Sequence, residues 1–307
     1  MRSTGRLPRI ALVLLMLPLE LIGCGGHGAP PSAPSTVLQV SSPPNPPVVG
    51  IQGFVADSGY RAVPGARVEI VAGMQMGEST ATDANGRFSF SGTFDNTTTL
   101  RVTKDGHVAA TQVLSASQRS GCPSVCTGTF LFYLDVLAQP VEIAGDYTVT
   151  FVADSACTDL PSELRSRTYA ATIAPAPNPG SVSGPLSSRA VMSGSPFLGN
   201  LNGFRIGVAG NYLGISLDGR HDPTIVEQLA PNTYLAFSGS ANTTVETGAS
   251  TISTPFDGWI EYCVVPSPMA AYYNCGTSNI TGEPIPGAAL ARATCDSKNH
   301  RLIMTRR

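Results

Sequence analysis

Residues 82–90 read Thr82-Asp83-Ala84-Asn85-Gly86-Arg87-Phe88-Ser89-Phe90, a turn followed by a strand. The Asp83 side chain can accept amides of its own turn, and Gly86 can take a positive φ. Phe88 and Phe90 then fall on one face of an extended chain. Upstream, Pro64-Gly65 marks another turn, after which Ala66, Val68 and Ile70 alternate with Arg67, Glu69 and Val71. Val48 to Val55 precedes them, and Leu100-Arg101-Val102 runs into a further turn at Asp105-Gly106. His107 to Leu114 and Thr129 to Val136 complete the series. About seven short alternating runs separated by turn residues predict a β-sandwich over 49–140.

Read in order, Gly53-x-Val55, Val63-Pro64-Gly65-Ala66-x-Val68, Thr82-Asp83-x-Asn85-Gly86-x-Phe88-x-Phe90 and Leu100-x-Val102 leading to Gly106 resemble the carboxypeptidase regulatory-like domains. The resemblance implies a transthyretin-like or immunoglobulin-like sandwich, sometimes grouped with starch-binding-like folds. It implies an accessory module of secreted and surface proteins, without catalytic activity. Carbohydrate binding is a weaker implication, because fold does not fix function. His107 stands where the family has an aromatic residue, and the hairpin carrying Cys122 and Cys126 is additional. Asp83 to Gly86 also looks like the start of a calcium loop, but a third oxygen ligand and the distant Glu are missing, so it reads as a turn.

Residues 144–307 predict a second all-β unit. Tyr147, Val149 and Phe151 alternate with threonines, and Tyr169, Ala171 and Ile173 repeat the pattern. Further strands are expected at Phe204–Val208, Tyr212–Leu217, Thr233–Phe237, Phe256–Cys263 and Leu302–Thr305, with a short helix over Asp159–Leu164. About eight strands in a unit of this size suit a small up-and-down barrel that fills itself or holds one ligand. Gly145-Asp146-Tyr147 at the start and Arg306 at the end resemble lipocalin-like barrels, which open on Gly-x-Trp and lay a late basic residue across the barrel floor. A strand start in a second sandwich is the other reading.

At the N-terminus, Arg2, Arg6 and Arg9 precede the apolar run Ile10–Leu19, which is too short to span a bilayer as a helix. Leu21-Ile22-Gly23-Cys24 follows, and the whole resembles a bacterial lipoprotein signal with its lipobox. The resemblance implies diacylglycerol on the Cys24 thiol, cleavage after residue 23 and acylation of the new amine. Several acyl chains at one residue supply stable anchoring that one chain cannot. Gly25, rather than Asp, favours the outer membrane by the same resemblance. An ordinary signal peptide, with Cys24 a plain thiol, is the alternative. Residues 24–48 are rich in Pro, Gly and Ser and read as an extended tether. Six further cysteines, an even number in an exported chain, predict three disulfides of undetermined connectivity. Cys122 and Cys126, with Pro123-Ser124 between them, are the simplest pair. If the barrel closes, Cys157 comes near Cys295, and Cys263 with Cys275 staples a hairpin.

A net charge of −2 gives no electrostatic footprint for nucleic acid, and 42% hydrophobic residues exclude bulk disorder. The chain has no H-E-x-x-H, no G-x-S-x-G elbow and no phosphate loop, so no enzyme activity, cofactor or metal is expected. His107, His221 and His300 do not stand at metal-ligand spacing from one another. The strongest candidate site is Asp257, Trp259 and Glu261, which share one face of a strand while Phe256, Gly258, Ile260 and Tyr262 take the other. An aromatic plate between carboxylates suits a sugar or a small amphipathic ligand, and Tyr272-Tyr273 could extend the surface. The carboxylates stand about 13 Å apart along a strand, beyond the roughly 5–9.5 Å of a glycosidase pair. The competing reading is a Trp packed across strands or under a loop.

The sequence therefore predicts a non-catalytic, lipid-anchored envelope protein. Its expected partners are the membrane, through Cys24, and a glycan or another envelope protein. A carrier of a small apolar ligand and an enzyme with an unfamiliar site are the alternatives. An open apolar barrel would favour the carrier; a filled barrel with aromatic residues outside would favour surface binding.

Overall fold

In the computed structural model of the chain, which describes residues 48–120, 126–176, 187–217, 225–265 and 291–307, the Asp83 turn closes as its residue types dictate. The Asp83 carboxylate accepts the Asn85 and Arg87 amides at 2.9 and 2.8 Å. Gly86 has φ +74° and lies so close to the Val55 carbonyl that a side chain would not fit. The buried Thr82 hydroxyl donates to the Val63 carbonyl at 2.6 Å and accepts the Ala66 amide at 2.9 Å, locking this turn to the Pro64-Gly65 turn.

Two four-stranded sheets grow from these turns. The strands are β1 (Val48–Asp57), β2 (Arg67–Ala72), β3 (Ser79–Ala81), β4 (Arg87–Phe94), β5 (Thr99–Thr103), β6 (Ala110–Val113), β7 (Arg119–Ser120) and β8 (Cys126–Leu134). One sheet runs β4-β1-β8-β7 and the other β3-β2-β5-β6. β1 pairs antiparallel with β4 and parallel with β8. The inward residues of both sheets, among them Ile51, Val68, Ile70, Phe88, Phe90, Leu100, Val102, Phe130 and Phe132, form one apolar cluster. This is the predicted sandwich. β3 and β7 carry too few residues to alternate visibly and were not expected.

The C-terminal part is a closed barrel. Its strands are β9 (Gly145–Val152), β10 (Ser166–Ala176), β11 (Ser187–Ser193), β12 (Phe197–Ala209), β13 (Tyr212–Ser216), β14 (Ile225–Ala230), β15 (Thr233–Thr244), β16 (Thr251–Val264) and β17 (Ala291–Arg306). Every pairing is antiparallel between successive positions, and β17 returns to β9 to close the ring. β13 and β14 share one position. β12 pairs with β13 through Arg205–Ala209 and with β14 through Phe197 and Asn202, and β15 repeats that division. The nine described strands thus make an eight-position up-and-down barrel. β11 and β14 were not expected. The helix expected over Asp159–Leu164 is only a 3-10 turn, Ser162–Leu164. Pro161 enters it in an extended conformation, and the Arg165 side chain takes the Thr158 and Leu160 carbonyls, so the chain turns straight into β10.

Aromatic side chains fill the barrel interior. The Phe151 ring meets Phe237 at 4.5 Å between centroids and Tyr169, Phe204 and Phe256 at 6.3 Å. The wall outside carries exposed polar residues, such as the Thr150–Thr168 hydroxyl pair and Arg301 bonded to Ser253. Apolar inside and polar outside is the reverse of a lipid-facing barrel. Among the described residues no helix is long and apolar enough to cross a membrane.

Sandwich and barrel fall within one compact unit, joined by a seat made of glycine. Gly207 and Gly214 face each other across β12 and β13 on the outer wall. The Ser58 and Gly59 carbonyls lie directly on them. Tyr60, at φ +67°, covers both glycines and meets Tyr133 edge-on at 6.2 Å. Arg61 is held by Asp57 at 2.7 Å and lies 4.1 Å over the Tyr212 ring. A glycine inside a strand marks such close approaches. Gly214→Ala would drive a methyl group into the Gly59 carbonyl, and overpacking of this kind costs about 1–3 kcal/mol. Limited proteolysis is expected to cut this variant between the two lobes faster than the wild type; an equal rate would show that the seat yields freely.

Candidate functional site

β16 presents Asp257, Trp259 and Glu261 outward, as its alternation requires, with Phe256 and Ile260 in the barrel core. The three differ sharply in surroundings. Asp257 is exposed, whereas Glu261 is buried and ion-paired with Arg292 of the neighbouring β17. Trp259 is half-buried against a small apolar cluster on the outer wall, formed by Val226, Tyr234, Ala236, Cys263 and Val265 with Leu198 and Leu201. Glu261 is therefore committed to Arg292, and the Trp259 ring has apolar neighbours. The Tyr234 hydroxyl within this cluster is buried and has no hydrogen-bond partner among the described residues. Burial raises its pKa, so it stays protonated and offers a donor. Tyr272 and Tyr273 lie outside the described residues, as do Cys24, Cys122, Cys275 and His221.

A second polar constellation sits inside the barrel. Glu227 on β14 is 3% exposed and receives three hydrogen bonds: from Arg167 Nε at 3.0 Å, from Arg167 Nη2, and from the Tyr169 hydroxyl at 2.8 Å. Desolvation, then the nearby Glu227 charge, pushes the Tyr169 phenol far above its ordinary range; the bond to Glu227 raises the Arg167 pKa. Nothing in the sequence pointed to this group. Arg167 and Tyr169 alternate in one strand, but Glu227 lies 58 residues beyond Tyr169.

The third constellation is a stapled corner. Cys157 and Cys295 form the expected disulfide, with α-carbons 5.5 Å apart. Cys126 and Cys263 are also disulfide-bonded, and their expected partners Cys122 and Cys275 lie outside the described residues. Beside the Cys157–Cys295 bond, the Ser297 hydroxyl donates to the Asp154 carboxylate and the Asp154 amide donates to His300 Nδ1 at 3.0 Å. Serine, aspartate and histidine meet here, yet not as a triad. Ser297 bonds the carboxylate rather than the imidazole, so the serine–histidine contact of a triad is not made. The Cys157, Cys295 and His300 donor atoms lie within 4.8 Å of one another. Zinc would need thiolates, and these sulfurs are joined. His300 Nδ1 faces an N–H donor, which fixes the proton on Nε2 and directs it to the Cys295 carbonyl. The corner is structural.

It also has a defined acid response. The Ser297 bond, then the Ala156 amide, lowers the Asp154 pKa from 3.8 to about 2, and burial lowers that of His300 below 6.5. In both cases the unfolded chain binds the proton more readily, so both contributions are lost as pH falls. The His300 contribution fades below pH 6.5, and that of Asp154 fades below about 4 towards 2. The thermal midpoint is expected to fall in two stages on acidification, with His300→Asn removing the first and Asp154→Asn the second. An unaltered profile in both variants would contradict this assignment.

At the opposite end of the barrel the Arg306 guanidinium lies 5.5 Å over the Tyr147 ring, and its Nη2 donates to the Glu142 carbonyl at 3.1 Å. Residues 50–121 match the carboxypeptidase regulatory-like domain family, the sandwich described above. No curated protein matches the chain in sequence. This domain points to a non-catalytic binding or structural role.

Proposed function

We propose that the protein is a lipid-anchored component of the bacterial cell envelope, held in the outer membrane through Cys24, that binds a carbohydrate or similar amphipathic partner on the outer wall of its barrel. The observation that carries the binding site is the Tyr234 hydroxyl, buried and without a partner among the described residues, in the cluster that contains Trp259. A buried hydroxyl left unbonded is costly, and a ligand or ordered water that accepts from it removes the penalty. Trp259 supplies an aromatic face and Asp257 an exposed acceptor on the same side of β16. The packed interior around Phe151 favours this outer surface over carriage of an apolar ligand inside the barrel. The accessory character of the regulatory-like domain fits a binding role.

Two measurements test the two halves of the proposal. Trp259→Ala is expected to weaken binding to soluble envelope glycans by at least about tenfold, equivalent to ~1.4 kcal/mol, with an unchanged far-ultraviolet circular dichroism spectrum. Equal affinity in the variant rejects the site. Cys24→Ala is expected to move the protein from the membrane to the soluble fraction of fractionated cells. Retention in the outer membrane rejects the anchor.

A further inference from the structure

The sandwich has two poles. One rests on the barrel through Ser58–Arg61. At the other the described chain enters at Val48, and strand register gathers the β2–β3 turn, the β4–β5 turn and the end of β6. Val49 pairs with Thr93, Ala72 and Val113 both pair with Thr99, and Gly73 lies against Thr98. This far pole exposes large apolar side chains: Met76 by 70%, Val113 by 52%, Met74 by 48% and Val49 by 44%. None of them belongs to the sandwich core.

The backbone imposes the exposure of the methionines. Gly73, Gln75 and Gly77 all have positive φ, at +90°, +63° and +96°. A non-glycine residue in that region is uncommon. The Gly77 amide bonds the Ile70 carbonyl at 2.8 Å and the Ile70 amide bonds the Glu78 carbonyl at 2.9 Å, so the turn is closed. The Gln75 side chain folds back over Gly92 of β4, where any side chain would collide with it. Turning Gln75 inward leaves Met74 and Met76 pointing away from the sheet.

We propose that this pole seats in the headgroup and acyl boundary of the membrane that carries the chain's lipid anchor, with Met74 and Met76 as the inserted side chains. The proposal rests on the anchoring reading above. Cys24 precedes Val48 by 24 residues, so the spacer leads to this pole and not to the barrel. Tethering makes the encounter intramolecular, so a few weak apolar contacts suffice to populate it. Methionine suits a fluid partner, being flexible, unbranched and polarizable. Electrostatics does not drive the contact, because the charged groups flanking the turn, Glu78 and Asp95, are acidic, and the Asp95 carboxylate is already held by Thr97 and Thr98. Added salt therefore does not weaken the contact.

The test uses full-length lipidated protein in phosphatidylethanolamine–phosphatidylglycerol vesicles doped with a phospholipid that carries a diazirine in its acyl chain. After photolysis, peptide mapping is expected to find lipid adducts on Met74 and Met76, undiminished at high salt, and none on Lys104–His107 at the opposite pole. Met74→Glu/Met76→Glu is expected to lose these adducts while still floating with the vesicles. Vesicle-bound protein without adducts at 73–77 overturns the proposal, since the spacer then holds the sandwich clear of the bilayer. Protein that fails to float overturns the anchoring reading and this proposal with it.

Discussion

Replacing Arg167 with alanine is expected to lower the unfolding free energy by about 3 kcal/mol, the low end of the cost of breaking a buried ion pair. The Glu227 carboxylate is 3% exposed and takes all three of its described hydrogen bonds from Arg167 and Tyr169. Without the guanidinium, a buried charge would keep only the tyrosine hydroxyl. The low end applies because the Arg167 side chain is 29% exposed, so water can partly replace it. For the same reason Glu227→Ala should cost less than Arg167→Ala, since it leaves behind a charge that reaches solvent. Substituting all three by apolar residues of similar volume should be nearly neutral, because the desolvation penalty vanishes with the pair. Urea denaturation with a constant m-value is the measurement. A variant lacking Arg167 with an unshifted midpoint would mean that the Glu227 carboxylate finds other partners in the native state.

The position of this group in the barrel accounts for its persistence in an apolar interior. β14 is only the second half of an interrupted strand position, with short ladders to β12 and β15. Glu227 ties that half to β10, a strand to which β14 has no ladder. A one-residue slip of β14 would turn Glu227 outward and Val226 inward. The ion pair thus specifies a register that the shortened ladder holds weakly.

Local alternation made the sandwich and most of the barrel legible, because Phe88/Phe90, Tyr147/Val149/Phe151 and Tyr169/Ala171/Ile173 each declare an inward face within one strand. The Thr82–Phe90 stretch was legible for a stronger reason. Its turn chemistry, its buried hydroxyl and its two phenylalanines are satisfied within a few residues or against the adjacent turn. β14 was not legible, since Ile225-Val226-Glu227 shows no alternation: one face enters the barrel core and the other enters the outer cluster. The same outer cluster explains what sequence could not say of Trp259. Its face of β16 looks polar in one strand, and the apolar neighbours come from β12, β14 and β15. The glycine seat did leave a signal, because Gly207 and Gly214 interrupt otherwise apolar strands. What lies on them is fixed by a loop about 150 residues upstream, and strand patterning carries no such information.

Replacing both Cys157 and Cys295 by serine is expected to cost about 4–5 kcal/mol. In the chain-entropy account the stabilisation grows with the loop that the bond closes, reaching about 4.7 kcal/mol for 100 residues. Here the sequence separation is 138, nearly the whole barrel. The location adds to the effect. β9 and β17 pair only from Tyr147 with Arg306 to Val152 with Arg301, so the N-terminal half of β17 has a ladder to β16 alone. The bond holds that half to the segment following β9 at Cys157, beyond the last rung of the seam. Loss of the bond leaves Asp154–Ser297 and Asp154–His300 as the described hydrogen bonds across the corner, and acid weakens both. The double variant should therefore be more acid-sensitive than the wild type as well as less stable. Hydrogen exchange should show the difference first in residues 291–300, where the seam has no ladder on the β9 side. Denaturation midpoints measured at pH 7 and pH 4 decide the matter: a small loss, equal at both pH values, would show that the ladder and the corner hydrogen bonds close the barrel without the disulfide.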